Sequence, residues 1–211
     1  MGNGERAMGR RSGRTISDRT FPPLRCLDFR STPGDHSEMN IRLATEADLP
    51  AVMAIYNEQI LHSVSIFDTR PIETPEAQRA WLAKHDPVTR PVIVAEESGE
   101  VVGWASLSDW SEKCSYARAA EVSVYISADH RGKGVGRALM LELFERARRG
   151  GVGVLLSRIA TEMKPSLALH ASLGFRSIGT MRRVGKKFGR ILDVELMDYH
   201  LDGESGMPPR E

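Results

Sequence analysis

Cysteine is nearly absent from this chain. Its two residues, Cys26 and Cys114 among 211, make no disulfide framework and no metal-ligand spacing. No resident metal is therefore expected, and a cytoplasmic, reducing compartment is. Excess charge of either sign is missing too. Lys and Arg number 29 against 28 Asp and Glu, a net charge of +1. No strong field draws the chain toward nucleic acid or a membrane surface. Long apolar runs are also lacking, and none approaches the roughly 20 residues that span a bilayer. What remains is a chain that is 41% hydrophobic, enough to build a core. Its length suits one domain plus an extension.

Residues 1–38 differ from the rest. They are rich in Arg, Gly, Ser and Pro and show no sustained apolar period. They lack the apolar centre of a secretory signal. Their Arg and Ser suit a mitochondrial-type transit peptide, but Glu5, Asp18, Asp28 and Asp35 oppose one. The segment reads as a disordered extension. Met39 opens the first strand-like stretch, so an upstream over-extension of the reading frame is one explanation and a regulatory arm another. The domain is placed at 39–202, with a flexible tail at 203–211.

Asn40 to Leu43 reads as a short edge strand. Thr45 supplies an N-cap hydroxyl, with Asp48 three residues on as a capping-box variant. The helix that follows buries Leu49, Val52, Met53, Ile55 and Tyr56. Residues 63–70 form a polar-aromatic loop. Thr74 caps a second helix, Pro75 to Lys84, with Pro75 in its first turn. Val92 to Glu96 and Val101 to Leu107 pair about a Ser98-Gly99 turn. Ala120 to Ile126 is another strand. After a glycine-rich turn comes a helix with the apolar stripe Val135, Leu139, Leu143 and Ala147, widened by Met140 and Phe144. Val152 to Ile159 is a strand. Pro165 to Leu173 is a short helix ended by Gly174 as a C′ glycine. Phe175 to Arg183 and Ile191 to Leu201 close the chain as a strand pair around a basic loop. The order predicts an α/β domain on a mixed sheet.

The glycine turn is Arg131-Gly132-Lys133-Gly134-Val135-Gly136-Arg137. Glycine allows close backbone approach to a ligand. The first N–H groups of a helix have no partner within it, and together with the helix dipole they favour an anion. Arg131, Lys133 and Arg137 add positive charge, so a diphosphate suits the site. The spacing is not that of a P-loop, because Val135 follows Gly134 where a Lys-Ser/Thr ending is needed. Neither register matches Gly-x-Gly-x-x-Gly. The pattern Arg/Gln-x-x-Gly-x-Gly/Ala is met in full by Arg131-x-x-Gly134-x-Gly136. The plain alternative is a flexible strand-to-helix turn.

Four blocks in order resemble the GCN5-related N-acetyltransferases (GNAT), and more closely their phosphinothricin acetyltransferase-like branch. They are Ala44 to Ala51, Ala120 to Ile126, Pro165 to Phe175, and Val184 to Arg190 with Asp193. The resemblance covers about residues 40 to 201. It implies a single-domain, mostly antiparallel central sheet flanked by helices. It also implies acetyl-CoA as co-substrate and direct attack of an amine on the thioester.

The chemistry has three parts if both substrates are held together. A carboxylate, directly or through a water, takes a proton from the ammonium. Glu121 shares one strand face with Ser123 and Tyr125, and an acid in an apolar strand is costly unless it is used or solvated. Glu121 also matches the family's proposed base. Backbone N–H groups stabilise the oxyanion, and the resemblance implies main-chain contacts from Val124, Tyr125 and Ile126 along the pantetheine arm. The leaving thiolate is protonated, and the branch commonly has histidine where His170 stands. A histidine can donate near neutral pH. Met163 departs from the family's asparagine, and Ser166 partly replaces it as a cofactor contact.

The branch resemblance implies a small amino-acid-like amine, of the phosphinothricin or methionine sulfone/sulfoximine type. Its carboxylate is best gripped by an Arg fork. Lys113, Tyr116 and Arg118 in one loop, and Phe67 and Arg70 in another, are the candidate substrate contacts. Cys114 has little reason to be a nucleophile. Resemblance further implies that the basic loop Lys186 to Arg190 helps form a homodimer contact. Two other functions stay open: a protein N-terminal or lysine acetyltransferase with an open groove, and a non-catalytic acetyl-CoA sensor.

Overall fold

The computed structural model describes residues 39–202. The expectations for 1–38 and 203–211 lie outside the described residues. The elements are β1 (Asn40–Leu43), α1 (Leu49–His62), α2 (Pro75–Leu82), β2 (Val92–Glu97), β3 (Glu100–Asp109), β4 (Ala119–Ile126), α3 (Val135–Arg149), β5 (Val154–Ala160), α4 (Lys164–Ser172), β6 (Arg176–Lys187) and β7 (Arg190–His200). Seven strands form one sheet in the order β1-β2-β3-β4-β5-β7-β6. Only the β4–β5 pair is parallel. The α/β class and the mixed, mostly antiparallel sheet are as expected. No helix among the described residues is long and apolar enough to cross a membrane.

Side-chain alternation lets the sheet bury both faces. Ile93 and Ala95 of β2 join a cluster with Leu139, Met140, Leu143 and Phe144 of α3. Val92 and Val94, which alternate with them in sequence, join Trp104 of β3 and Leu49, Val52, Met53 and Ile55 of α1. Each large side chain so buried contributes about 1.5–3 kcal/mol. Tyr56 stacks into this second cluster, its ring 5.5 Å from Trp104 and 5.7 Å from Tyr125.

α1 is preceded by a single 3-10 turn, Glu46–Asp48. Asp48 accepts hydrogen bonds from the Thr45 N–H at 2.7 Å and its hydroxyl at 2.9 Å. The hydroxyl therefore donates to the carboxylate. Arg42 adds a two-pronged contact to the same carboxylate at 2.7 and 2.8 Å. That guanidinium, first of all, holds the Asp48 carboxyl down at about 2.

The basic loop near the C-terminus is shorter than expected. β6 runs on through Lys187, and the turn is only Phe188-Gly189. Both residues have positive φ, 50° and 73°, the geometry that a two-residue hairpin joining right-twisted strands requires. Lys187 is not solvated. It is 4% exposed, and its ammonium donates to the Ile66 carbonyl at 2.7 Å and leans on the Gln59 carbonyl at 3.5 Å. Burial lowers its pKa.

Candidate active site

The site begins with a missing pairing. β4 is hydrogen-bonded to β3 along its length, from Gly103↔Ile126 to Asp109↔Ala120. Against β5 it pairs only at Ala119↔Val154, Ala120↔Leu155 and Glu121↔Leu156. Beyond that point the strands splay, while β5 stays paired to β7 as far as Ala160↔Val194. A cavity of about 580 Å³ opens there, within the size range of small-molecule sites. Its walls are Val122 to Ile126 of β4 and Ser157 to Ala160 of β5. Glu58, Gln59 and His62 of α1 with Ser63 and Ser65 just after it close one side, and Met163 with Ser166 and His170 of α4 close the other.

The glycine turn forms one end of the cavity. Arg131, Gly132, Gly134, Gly136 and Arg137 line it. Gly132 and Gly134 have φ of 75° and 88°, and a Cβ added to either would meet nothing within 4 Å. These glycines are thus required by backbone conformation, and the space in front of them is open. The first helical bond of the turn runs from the Ala138 N–H to the Gly134 carbonyl at 3.0 Å. The N–H groups of Val135, Gly136 and Arg137 consequently have no partner within the helix. Arg131 is braced by its own Nε, which donates to the Ile126 carbonyl at 3.2 Å. The Val135 side chain is buried in the core, and Lys133 points into solvent off the cavity wall. Of these two residues, Val135 offers an anion only its backbone and Lys133 only its diffuse charge.

An elongated coenzyme with linked phosphates fits this arrangement on three counts. There is an anion cradle at a helix N-terminus. There is an unpaired strand edge running away from it. There is also a polar atom without a partner: Ser157, a residue of the cavity wall that is 1% exposed, has a buried hydroxyl with no hydrogen-bond partner among the described residues.

Glu121 is not solitary. Arg158 of β5 forks onto it, with Nε donating to Oε1 at 2.7 Å and Nη2 donating to Oε2. The carboxylate itself is off the cavity wall, whereas Arg158 is on it. The guanidinium also lies over the Trp110 ring, 5.4 Å from its centre. Motif spacing does not single out Arg158, although the signal that marks Glu121 marks it too. It is a charge in an apolar strand, Val154-Leu155-Leu156-Ser157-Arg158-Ile159-Ala160.

His170 lines the cavity and is 3% exposed. Its Nδ1 lies 2.8 Å from the Ser166 carbonyl. A carbonyl only accepts, so Nδ1 carries the hydrogen and neutral Nε2 is a lone-pair acceptor. Burial pushes the pKa below the usual histidine value, against a smaller raising effect of that hydrogen bond. Burial favours the neutral ring, so the acid role expected of His170 requires a proton to reach Nε2 first.

The sign of the associated stability effect follows. A base with a depressed native pKa disfavours the fold when charged. Stability is therefore full above the unfolded value near 6.5 and falls as pH drops below it. The urea midpoint of the parent should fall more between pH 7.5 and 5.5 than that of His170→Gln. Parallel pH dependence in the two proteins would contradict a buried neutral ring.

The expected substrate contacts are not gathered at the cavity. Arg118 pairs with Asp202, and its guanidinium fills the space over Gly153. Its carbonyl takes the N–H groups of Gly153 and Val154 at 2.9 and 3.1 Å. It buttresses the far end of β4. Lys113 and Tyr116 stay exposed around a 3-10 turn, Cys114–Tyr116. Arg70 is exposed on the 63–70 loop, and Phe67 packs on the backbone of Gly185 in β6. None of the five lines the cavity. Glu58, Gln59, His62, Ser63 and Ser65, which do, sit at the end of α1 and just beyond it, where helical periodicity reports only core and surface.

A sheet opened between two parallel strands over a phosphate cradle defines an acyl-coenzyme A-dependent transferase site. The profile of the acetyltransferase (GNAT) family matches residues 49–175, and the chain belongs to that family. Among named relatives, it is 40% identical over 164 residues to the L-methionine sulfoximine/L-methionine sulfone acetyltransferase of Salmonella typhimurium, covering 78% of this chain and 95% of that one. A GNAT superfamily phosphinothricin acetyltransferase from Sinorhizobium meliloti, solved in complex with AcCoA, superposes with a TM-score of 0.75 at 32% identity, covering 81% and 93%. A ribosomal-protein-alanine N-acetyltransferase from Brucella melitensis superposes with a TM-score of 0.73 at 41% identity, covering 76% and 99%.

Proposed function

We propose that this enzyme moves an acetyl group from acetyl-CoA to the α-amine of a small amino acid of the methionine sulfone, methionine sulfoximine or phosphinothricin kind. The observation that carries this reading is the splayed β4–β5 seam, with an anion cradle at one end and the Glu121–Arg158 pair at the other. The named relatives support the substrate class.

Acetyl-CoA supplies an acetyl group already activated as a thioester. The chain supplies the rest. Free N–H groups at Val135, Gly136 and Arg137 hold the linked phosphates, with Arg131 and Arg137 beside them. The main chain of Val124, Tyr125 and Ile126 receives the coenzyme's arm as an added strand, and one N–H there faces the developing oxyanion. Glu121 accepts the ammonium proton through a bridging water, since its carboxylate stands back from the wall. His170 fixes the first turn of α4 through Ser166; as the C–N bond forms the C–S bond breaks, and the departing CoA thiolate takes its proton from solvent or by way of the His170 ring. A cytoplasmic homodimer belongs to this reading. The exposed Val184, Phe188 and Ile191 on the β6–β7 hairpin support a self-contact, which sedimentation at micromolar concentration checks.

The Brucella relative favours a second reading, acetylation of a protein N-terminus. A thiol-release assay decides between them, with L-methionine sulfone, L-methionine sulfoximine, L-phosphinothricin and an alanine-terminated peptide as acceptors. Turnover with the amino acids and not the peptide is expected. Turnover with the peptide alone would replace the first reading by the second. Tight acetyl-CoA binding with no turnover would leave a sensor.

A further inference from the structure

We propose that Arg158 selects the acceptor: its guanidinium receives the acceptor's carboxylate while Glu121, the other half of the same ion pair, faces the acceptor's ammonium. This rests on the functional reading above and deepens it.

Arg158 is the one arginine of the cavity wall that is not part of the glycine turn. Five residues of β4 separate Ile126, beside that turn, from Glu121, or about 17 Å at the usual strand rise. Arg158 is therefore too far along the seam to serve the phosphates. Its side chain is held on two sides, by Glu121 at Nε and Nη2 and by the face of Trp110. That bracing removes most of the rotamer freedom that would otherwise oppose ligand binding. The fork is not exhausted by it. Guanidinium has five N–H donors, and Nη1 makes no hydrogen bond among the described residues. The side chain remains 52% exposed, and the residue lines the cavity.

A braced cation with a free N–H edge beside a carboxylate is the charge image of an α-amino acid zwitterion. In such a ligand the ammonium and carboxylate are separated by a single carbon. An amine without the carboxylate leaves the free edge of Arg158 unmatched, and so does a peptide N-terminus, whose first carbonyl is an amide.

The test compares L-methionine sulfone with its carboxamide in the parent, Arg158→Met and Arg158→Lys. Because Arg158 also holds Glu121, any damage to proton transfer lowers kcat for both acceptors alike. The ratio of their kcat/KM values isolates the carboxylate contact. The amide's weaker amine basicity is the same in all three proteins and cancels. The parent should prefer the acid. In Arg158→Met that preference should fall roughly 10- to 100-fold, the loss expected for hydrogen bonds to a charged group. The fall should lie mainly in KM for the acid, and Arg158→Lys should recover part of it. Unchanged acetyl-CoA affinity in both variants verifies a folded site.

An equal loss on both acceptors would reduce Arg158 to a holder of Glu121 and overturn the inference. So would a parent enzyme that acetylates acid and amide equally well, though the functional reading would then survive. A parent enzyme that acetylates neither, with the peptide as its only acceptor, would remove the functional reading and this inference with it.

Discussion

Glu121→Gln should lower kcat by about 100-fold or more, the usual contribution of a positioned base. Glutamine keeps the length and one acceptor oxygen of Glu121, so the strand and its neighbours are preserved. It cannot receive a proton. The α-ammonium of a free amino acid is mostly protonated at pH 7, so the attacking amine must first lose a proton and the step Glu121 serves is demanding. Acetyl-CoA affinity should stay within about 2-fold of the parent, because the anion cradle lies at the other end of β4, about 17 Å away. Rate measurements at saturating acetyl-CoA with calorimetry of coenzyme binding separate the two. A kcat that does not move would take Glu121 out of the chemistry and leave it as the partner that orients Arg158.

Gly134→Val should weaken acetyl-CoA binding roughly 10- to 100-fold. The residue is the N-cap of α3 and sits at φ 88°. A β-branched side chain there is a backbone outlier, costing on the order of 1–3 kcal/mol. A Cβ would strike no protein atom, so the strain is relieved by moving the turn rather than by unfolding the core. The displaced N–H groups of Val135, Gly136 and Arg137 then no longer converge on one anion. The expected signature is a raised KM for acetyl-CoA with kcat largely kept at saturation. Coenzyme affinity equal to the parent would show that the phosphates are held elsewhere.

The strands and helices were legible because their signals are local. Thr74 accepts from the Ala77 N–H as an N-cap should, at 3.2 Å. Gly174, at φ 95°, ends α4 as expected. The glycine turn was legible because positive φ leaves few alternatives to glycine. Other features depend on pairings that sequence does not print. That β5 leaves β4 after Leu156 is a property of two strands 35 residues apart. Arg158 gains meaning only from Glu121 across that seam. Arg118 looked like a fork for a carboxylate, but its position at the closed end of β4 gives it Asp202 instead. His170 was located from its motif, yet its protonation depended on burial and on the Ser166 carbonyl. The charges of the final hairpin suggest a wide solvated turn, whereas Lys187 belongs to β6 and turns inward.

That lysine has an architectural consequence. The Ile66 carbonyl that Lys187 holds lies just past Ser63 and Ser65 of the cavity wall. One wall of the reaction chamber is thus moored to the final hairpin of the described domain. A ribosome must deliver both closing strands before that wall has its anchor, so the pocket can be finished only after almost the whole catalytic domain has been synthesised.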